Sequence, residues 1–314
     1  MASGTGKVTV VGAGNVGANT ARRIAEKDLA AKVVLTDIVE GLPQGLALDI
    51  GQSAAVEGFS ARIEGTNDYA DTAGSDVVVI TAGLPRQPGM SRMDLLDKNS
   101  EIMTTVTEQI AEHSPESVII VVSNPLDEMT YLASVVSGFP KERVMGMAGV
   151  LDSSRLRYFI AEVLEAPPSS VDAITLGSHG DQMVALPGHA TVDGRPLREL
   201  VDESTLAELF QRTRDGGAEI VGLLKKGSAF YAPSSSAAAM VKAVLGDTKE
   251  VLPACAWTTG QYGVSDVYLG VPALLGANGV AGIVELDITE EERAQLGEAA
   301  EAIRSKCREF DARR

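Results

Sequence analysis

The sequence predicts an α/β protein, with a parallel-sheet domain over residues 1–145 followed by a mixed α+β domain over residues 146–314. Three observations predict it. Short apolar, β-branched runs alternate with helical periodicity through the first half, the pattern of a parallel sheet with right-handed crossovers. A glycine-rich turn joins the first of these runs to the first helix. After about Met145 the regular alternation stops.

Taken in order, residues 8–11 read as a strand, 16–27 as a helix and 32–36 as a second strand. Residues 77–81 and 118–122 are continuous apolar runs, as expected of strands buried on both faces. Each precedes a helical pattern, at 95–111 and 127–136. In the second half, helices are expected at 153–164, 205–224 and 237–245. Residues 171–176 are strand-like, 189–192 look antiparallel, and 252–284 read as a Gly-rich meander. The closing helix, 289–310, starts Thr-Glu-Glu-Glu, which suits the positive end of a helix dipole.

A length of 314 residues fits two domains, and 45% hydrophobic with 22% charged residues is ordinary for a globular chain. A net charge of −16 argues against nucleic-acid and anionic-membrane partners, because the long-range field repels both. No run is long and apolar enough for a membrane span, and no secretory signal is expected. Cys255 and Cys307 have no metal-type spacing, so no metal site is expected and a reducing cytoplasm fits.

Gly12-Ala13-Gly14-Asn15-Val16-Gly17 follows the first strand and opens the first helix. Glycines there permit a tight turn and close approach to a pyrophosphate, and the helix N-terminus offers unpaired N–H groups. Asp37 ends the second strand, 20 residues beyond Gly17, where a carboxylate can accept from ribose hydroxyls. These are the marks of a Rossmann-type domain that takes NAD in preference to NADP. Thr81-Ala82-Gly83 and Val122-Ser123-Asn124 lie at the ligand-binding ends of later strands and are expected to add cofactor contacts.

The loop after residues 77–81 carries Arg86 and Arg92, two forks suited to a small anion with more than one carboxylate or phosphate. Two solvated arginines are the plain alternative. Of three histidines, His113 reads as a surface residue or helix C-terminal charge and His189 as structural. His179 lies at a strand exit between Gly177 and Gly180, and imidazole suits proton transfer near neutrality. Asp152 is a candidate partner that would fix its tautomer, with an ordinary helix N-cap as the alternative. Arg155 follows Asp152 on a neighbouring position of one helix face, whereas Arg157 faces elsewhere and receives no role. No GxSxG or HExxH pattern occurs.

Six motifs in order, Gly12 to Gly17, Asp37, Arg86 to Arg92, Ser123-Asn124-Pro125, Asp152 to Arg155 and Gly177 to Asp181, resemble the lactate/malate dehydrogenase family. The likeness is to its bacterial, lactate-dehydrogenase-like malate branch and spans nearly the whole chain. The resemblance implies that residues 146–314 form the substrate domain, with His179 as proton acceptor and Asp152 orienting it. Arg155 would fork the substrate carboxylate, and Arg92 would polarise the reacting oxygen. Asn124 would bind substrate and cofactor, and Asn99 and Val122 would touch the cofactor. Arg86 would meet the far carboxylate of a dicarboxylate, where lactate-specific members carry glutamine. Gln87 stands next to it, so the register matters. The implied activity is interconversion of malate and oxaloacetate with NAD, in a homo-oligomer, tetramer before dimer. Another 2-hydroxyacid of the same fold, lactate above all, is the alternative, and a non-catalytic NAD-binding protein is a distant one.

Overall fold

The computed structural model describes residues 4–84 and 92–312. The chain forms two compact units. Unit 1 gathers residues 1–147, Phe230–Glu250 and Leu274–Gly282; unit 2 gathers Ala148–Ala229, Val251–Ala273 and Ile283–Arg314. The first crossing falls close to the expected boundary, but the chain then returns to unit 1 twice. By contact, the two late segments Phe230–Glu250 and Leu274–Gly282 group with the first unit.

In unit 1, β1 (Lys7–Val11), β2 (Lys32–Thr36), β3 (Arg62–Thr66), β4 (Val77–Ile80), β5 (Val118–Val121) and β6 (Val144–Gly146) form a parallel sheet in the order β3-β2-β1-β4-β5-β6. β4 and β5 are buried along their whole length, which explains their unbroken apolar runs. The strand order reverses direction between β1 and β4, and ligands of open α/β sheets bind outside the strand C-termini at such a point. Helix α1 (Asn15–Glu26) buries Gly17, Thr20, Ala21, Ile24 and Ala25, a stripe of helical spacing. The chain continues through α2 (Leu42–Glu57), α3 (Arg92–His113) and α4 (Leu126–Ser137).

Neither α2 nor β3 is announced by periodicity. In α2 the apolar residues go round the helix, so that Leu48 and Val56 are exposed and only Pro43 and Ala47 are buried. β3 is an edge strand carrying Arg62, Glu64 and Gly65. Charge on an edge strand discourages pairing with another chain. Gly65 is needed because a Cβ there would stand 2.1 Å from the Pro43 carbonyl oxygen.

Unit 2 opens with α5 (Gly149–Val163), four residues earlier than expected. Gly149 permits this start, since a Cβ would lie 2.7 Å from Pro253 Cβ. The expected single strand at 171–176 is broken into β7 (Val171–Asp172) and β8 (Thr175–Gly177). β8 pairs antiparallel with β9 (Met183–Ala185), while β7 joins β10 (Thr191–Val192) and β11 (Arg195–Pro196) in a small separate sheet. Helix α6 (Glu203–Leu224) packs on α5. Helix α7 (Tyr231–Leu245) belongs to unit 1, where it packs on α1. The meander resolves into long strands Glu250–Thr259 and Ser265–Gly276 and the shorter Gly279–Ile283. Helix α8 (Glu290–Asp311) starts with a full capping box, Thr289 and Glu292 exchanging side-chain-to-backbone hydrogen bonds.

Candidate active site

In unit 1, the Gly12 N–H donates to Thr36 O at 2.8 Å, and Gly12 adopts φ +99°. The turn it makes is so tight that a Cβ on Gly17 would lie 1.8 Å from Gly12 O. A Cβ on Gly14 would meet nothing within 4 Å, and Gly14 and Asn15 are exposed. No side chain caps the start of α1. Its first N–H groups therefore face an open cradle whose dipole favours anions, which fits a dinucleotide pyrophosphate.

Asp37 sits beside that cradle. Its Oδ2 accepts the Ala13 N–H at 2.6 Å and its Oδ1 the Val39 N–H at 2.9 Å. A carboxylate has about four lone-pair sites, so capacity remains for ribose hydroxyls. Tyr69 is pushed up to about 12 by burial, and secondarily by the Asp37 charge. It stays neutral at physiological pH and adds no second negative charge beside Asp37.

The strand-end loops are tied together. Thr81 Oγ1 donates to Val11 O and Gly12 O at 3.0 and 3.1 Å. Ser123 Oγ donates to Ala82 O. Asn99, buried, accepts the Leu84 N–H at 2.8 Å and donates to Leu84 O and Asn124 O at 3.2 and 2.7 Å. Its carboxamide thus braces the loops after β4 and β5. Val122 is buried, Asn124 is exposed, and the Asn124–Pro125 peptide is cis. Arg86 lies outside the described residues, as does the side chain of Arg92, whose backbone opens α3.

In unit 2, His179 Nδ1 lies 2.8 Å from Asp152 Oδ2, and Arg155 Nη1 donates to Asp152 Oδ1 at 3.2 Å. One carboxylate, with a side chain only 3% exposed, serves both groups. Asp152 is not the N-cap of α5; that position is Ala148, and Asp152 lies within the first turn. With Nδ1–H donated to the carboxylate, a neutral ring carries its lone pair on Nε2, and the ion-pair partner stabilises the protonated ring. Burial lowers the Arg155 pKa from its ordinary value, opposed by the charge and hydrogen bond of Asp152. Arg155 Nε is buried with no hydrogen-bond partner among the described residues, a donor suited to a ligand oxygen.

Gly177 (φ +86°) and Gly180 (φ +121°) hold the turn that presents His179, in conformations other residues rarely adopt. Arg157 turns away and donates from Nε to Val171 O. His189 Nε2 is 2.7 Å from Asp287 O, and His113 ends α3. Two contributors were not singled out by motif. Gly216 of α6 gives Arg155 room, since a Cβ there would be 3.2 Å from Arg155 Cδ. Asn67 grips the backbone after Asp37. A glycine inside a helix and a lone Asn after a strand carry no local signal strong enough to mark them. Among the described residues no His/Cys/Asp/Glu group could hold a metal ion, and no helix is long and apolar enough to cross a membrane.

Residues 6–146 match the family model for the lactate/malate dehydrogenase NAD binding domain, and 149–313 that for the lactate/malate dehydrogenase alpha/beta C-terminal domain. The chain is 54% identical over 301 residues to a malate dehydrogenase of Chloroherpeton thalassium, covering 96% of this chain and 97% of that one. The solved malate dehydrogenase from Salinibacter ruber superposes with TM-score 0.94 at 50% identity, over 98% of each chain. A lactate dehydrogenase from Cryptosporidium parvum, solved with lactic acid and nicotinamide adenine dinucleotide, gives TM-score 0.93 at 42% identity, over 97% of this chain and 98% of that one.

Proposed function

This chain belongs to the lactate/malate dehydrogenase family, and on that premise we propose that it interconverts (S)-malate and oxaloacetate with NAD, using His179 as the proton acceptor. The observation that carries the chemistry is the Asp152 carboxylate holding His179 on one oxygen and Arg155 on the other. Malate rather than lactate is favoured by the 54% identity to a malate dehydrogenase and by an arginine at position 86.

Gly12, Ala13, Gly14, Asn15, Val16 and Gly17 hold the pyrophosphate and Asp37 the ribose hydroxyls. Thr81, Ala82, Gly83, Asn99, Val122, Ser123 and Asn124 line the rest of the cofactor site. NAD, when bound, supplies the hydride chemistry that no protein side chain can perform. Arg155 grips the carboxylate next to the reacting carbon with its planar guanidinium, whose Nε is buried and has no partner among the described residues. In malate oxidation, His179 Nε2 takes the C2 hydroxyl proton, while Asp152 stabilises the imidazolium. In the reverse direction His179 returns that proton to the carbonyl oxygen, and Arg92 stabilises the charge developing there. Asn124 orients the substrate, and Arg86 pairs with its far carboxylate.

The assay is NADH oxidation with oxaloacetate and with pyruvate in parallel. Turnover favouring oxaloacetate by orders of magnitude is expected. Turnover on pyruvate alone would transfer the assignment to a lactate-type activity, and none on either would leave a binding protein.

The protein works as a homo-oligomer, a tetramer before a dimer. Support comes from apolar side chains standing in solvent: Val135 on α4, and Tyr158 and Val163 on α5. Light scattering at micromolar concentration tests it, and a monomer mass would refute it. A cytoplasmic setting suits Cys255 and Cys307, which are buried thiols without a disulfide.

A further inference from the structure

Asp37 opens a five-residue link, 37–41, between β2 and α2. Ile38 is 93% exposed and Val39 53%, so apolar packing does little to hold this link. One side chain spans it. Asn67, immediately after β3, donates from Nδ2 to Asp37 O at 2.6 Å and to Val39 O at 3.0 Å. Its Oδ1 accepts Gln44 Nε2 at 2.7 Å, and the Gly41 N–H at the long distance of 3.5 Å. Sheet register brings the two together, because Thr36 and Thr66 are paired and each precedes one of these residues.

The choice of side chain follows from the donor pattern. A carboxamide offers two donors and an acceptor on one plane, enough to bind two carbonyls and a facing amide at once. An aspartate of the same shape would repel both carbonyls, and a serine is too short. The clamp fixes the Asp37 backbone from behind, while its carboxylate is held in front by Ala13 N–H and Val39 N–H. Gly41, at φ +78°, then turns the chain into α2.

From this geometry we infer that Asn67 is a positioning residue for the cofactor: it holds Asp37 where its carboxylate meets the ribose hydroxyls, and so sets NADH affinity and the preference for NADH over NADPH. The inference rests on the reading of Asp37 as the ribose-binding carboxylate. Asn67 touches neither substrate nor the reacting atoms in this role.

The test is NADH binding by fluorescence titration on the intact enzyme, with steady-state kinetics beside it. Asn67→Ala loses the hydrogen bonds to Asp37 O and Val39 O and those that Oδ1 accepts from Gly41 N–H and Gln44, and is expected to weaken NADH binding about tenfold. The same variant should bring NADPH closer to NADH, with the oxaloacetate KM and kcat at saturating NADH within about twofold of wild type. Gln44→Ala, a surface change that only loosens the clamp, should weaken NADH binding by a smaller factor of about two to three, and it serves if Asn67→Ala does not fold. In an Asp37→Ala background, Asn67→Ala should cost almost nothing more, because its effect passes through Asp37. Unchanged NADH binding in Asn67→Ala, or an equal loss with and without Asp37, overturns the inference. Unchanged NADH binding in Asp37→Ala alone overturns instead the reading of Asp37, and the inference falls with it.

Discussion

The glycine cradle of unit 1 and the side-chain relay of unit 2, proposed to hold the cofactor and to carry the proton, are built in opposite ways. The cradle is made of backbone: glycines at 12, 14 and 17, exposed helix N–H groups and one carboxylate. The relay is made of side chains, His179, Asp152 and Arg155, with the histidine 27 residues from its carboxylate. A backbone site fails when something is added to it. A side-chain site fails when something is taken away. The two kinds of damage should therefore separate cofactor binding from chemistry.

The largest separation is expected for His179→Asn, which should cost about 10²–10⁴-fold in kcat while NADH affinity stays near wild type. Stopped-flow hydride transfer and fluorescence titration measure the two sides. A comparable loss in both would erase the contrast. Gly17→Ala attacks the other side. Its new Cβ would fall 1.8 Å from Gly12 O, so the turn must open and NADH affinity should drop by roughly a hundredfold. Wild-type binding in a correctly folded Gly17→Ala protein would show that the tight turn is not needed.

Arg86→Gln sharpens the substrate side alone. Selectivity, as the ratio of kcat/KM for oxaloacetate over pyruvate, should fall roughly 10–100-fold with NADH affinity unaltered. An unmoved ratio would remove Arg86 from the far carboxylate. The smallest effect is expected far from both regions. Thr289→Ala removes the α8 capping box and should cost about 1 kcal/mol in denaturant unfolding without changing kcat or NADH affinity. A kinetic effect there would mean that α8 communicates with the relay.

The two regions also differ in how openly the sequence declared them. Gly12 to Gly17 and Asp37 stand out in the sequence because a tight strand–turn–helix and a carboxylate after the following strand leave a fixed local spacing. β4 and β5 were legible because double burial demands an unbroken apolar run. Helix α2 was not, since its apolar residues point to several faces and three of them, Leu42, Leu48 and Val56, stand in solvent. Helix α7 reads as a helix but not as a member of unit 1, because its packing partner, α1, lies more than 200 residues away. Asp152 read equally well as an N-cap until the helix was seen to begin at Gly149.

Residue types and short spacings alone mark the alternation of strands and helices, the glycine cradle, the carboxylate that follows β2 and the histidine proposed as proton acceptor. These are properties of residue type and short-range spacing. Folding in three dimensions is what lets Asp152 share its two oxygens between His179 and Arg155, and what buries Arg155 Nε with no partner among the described residues. It alone decided that Asn99 and Asn67 spend their carboxamides on the loops around the nucleotide end. The physical reason is that hydrogen bonds of a few ångströms join residues whose separation along the chain is set by loop lengths and sheet order. Periodicity carries no record of which distant carbonyl a side chain will meet.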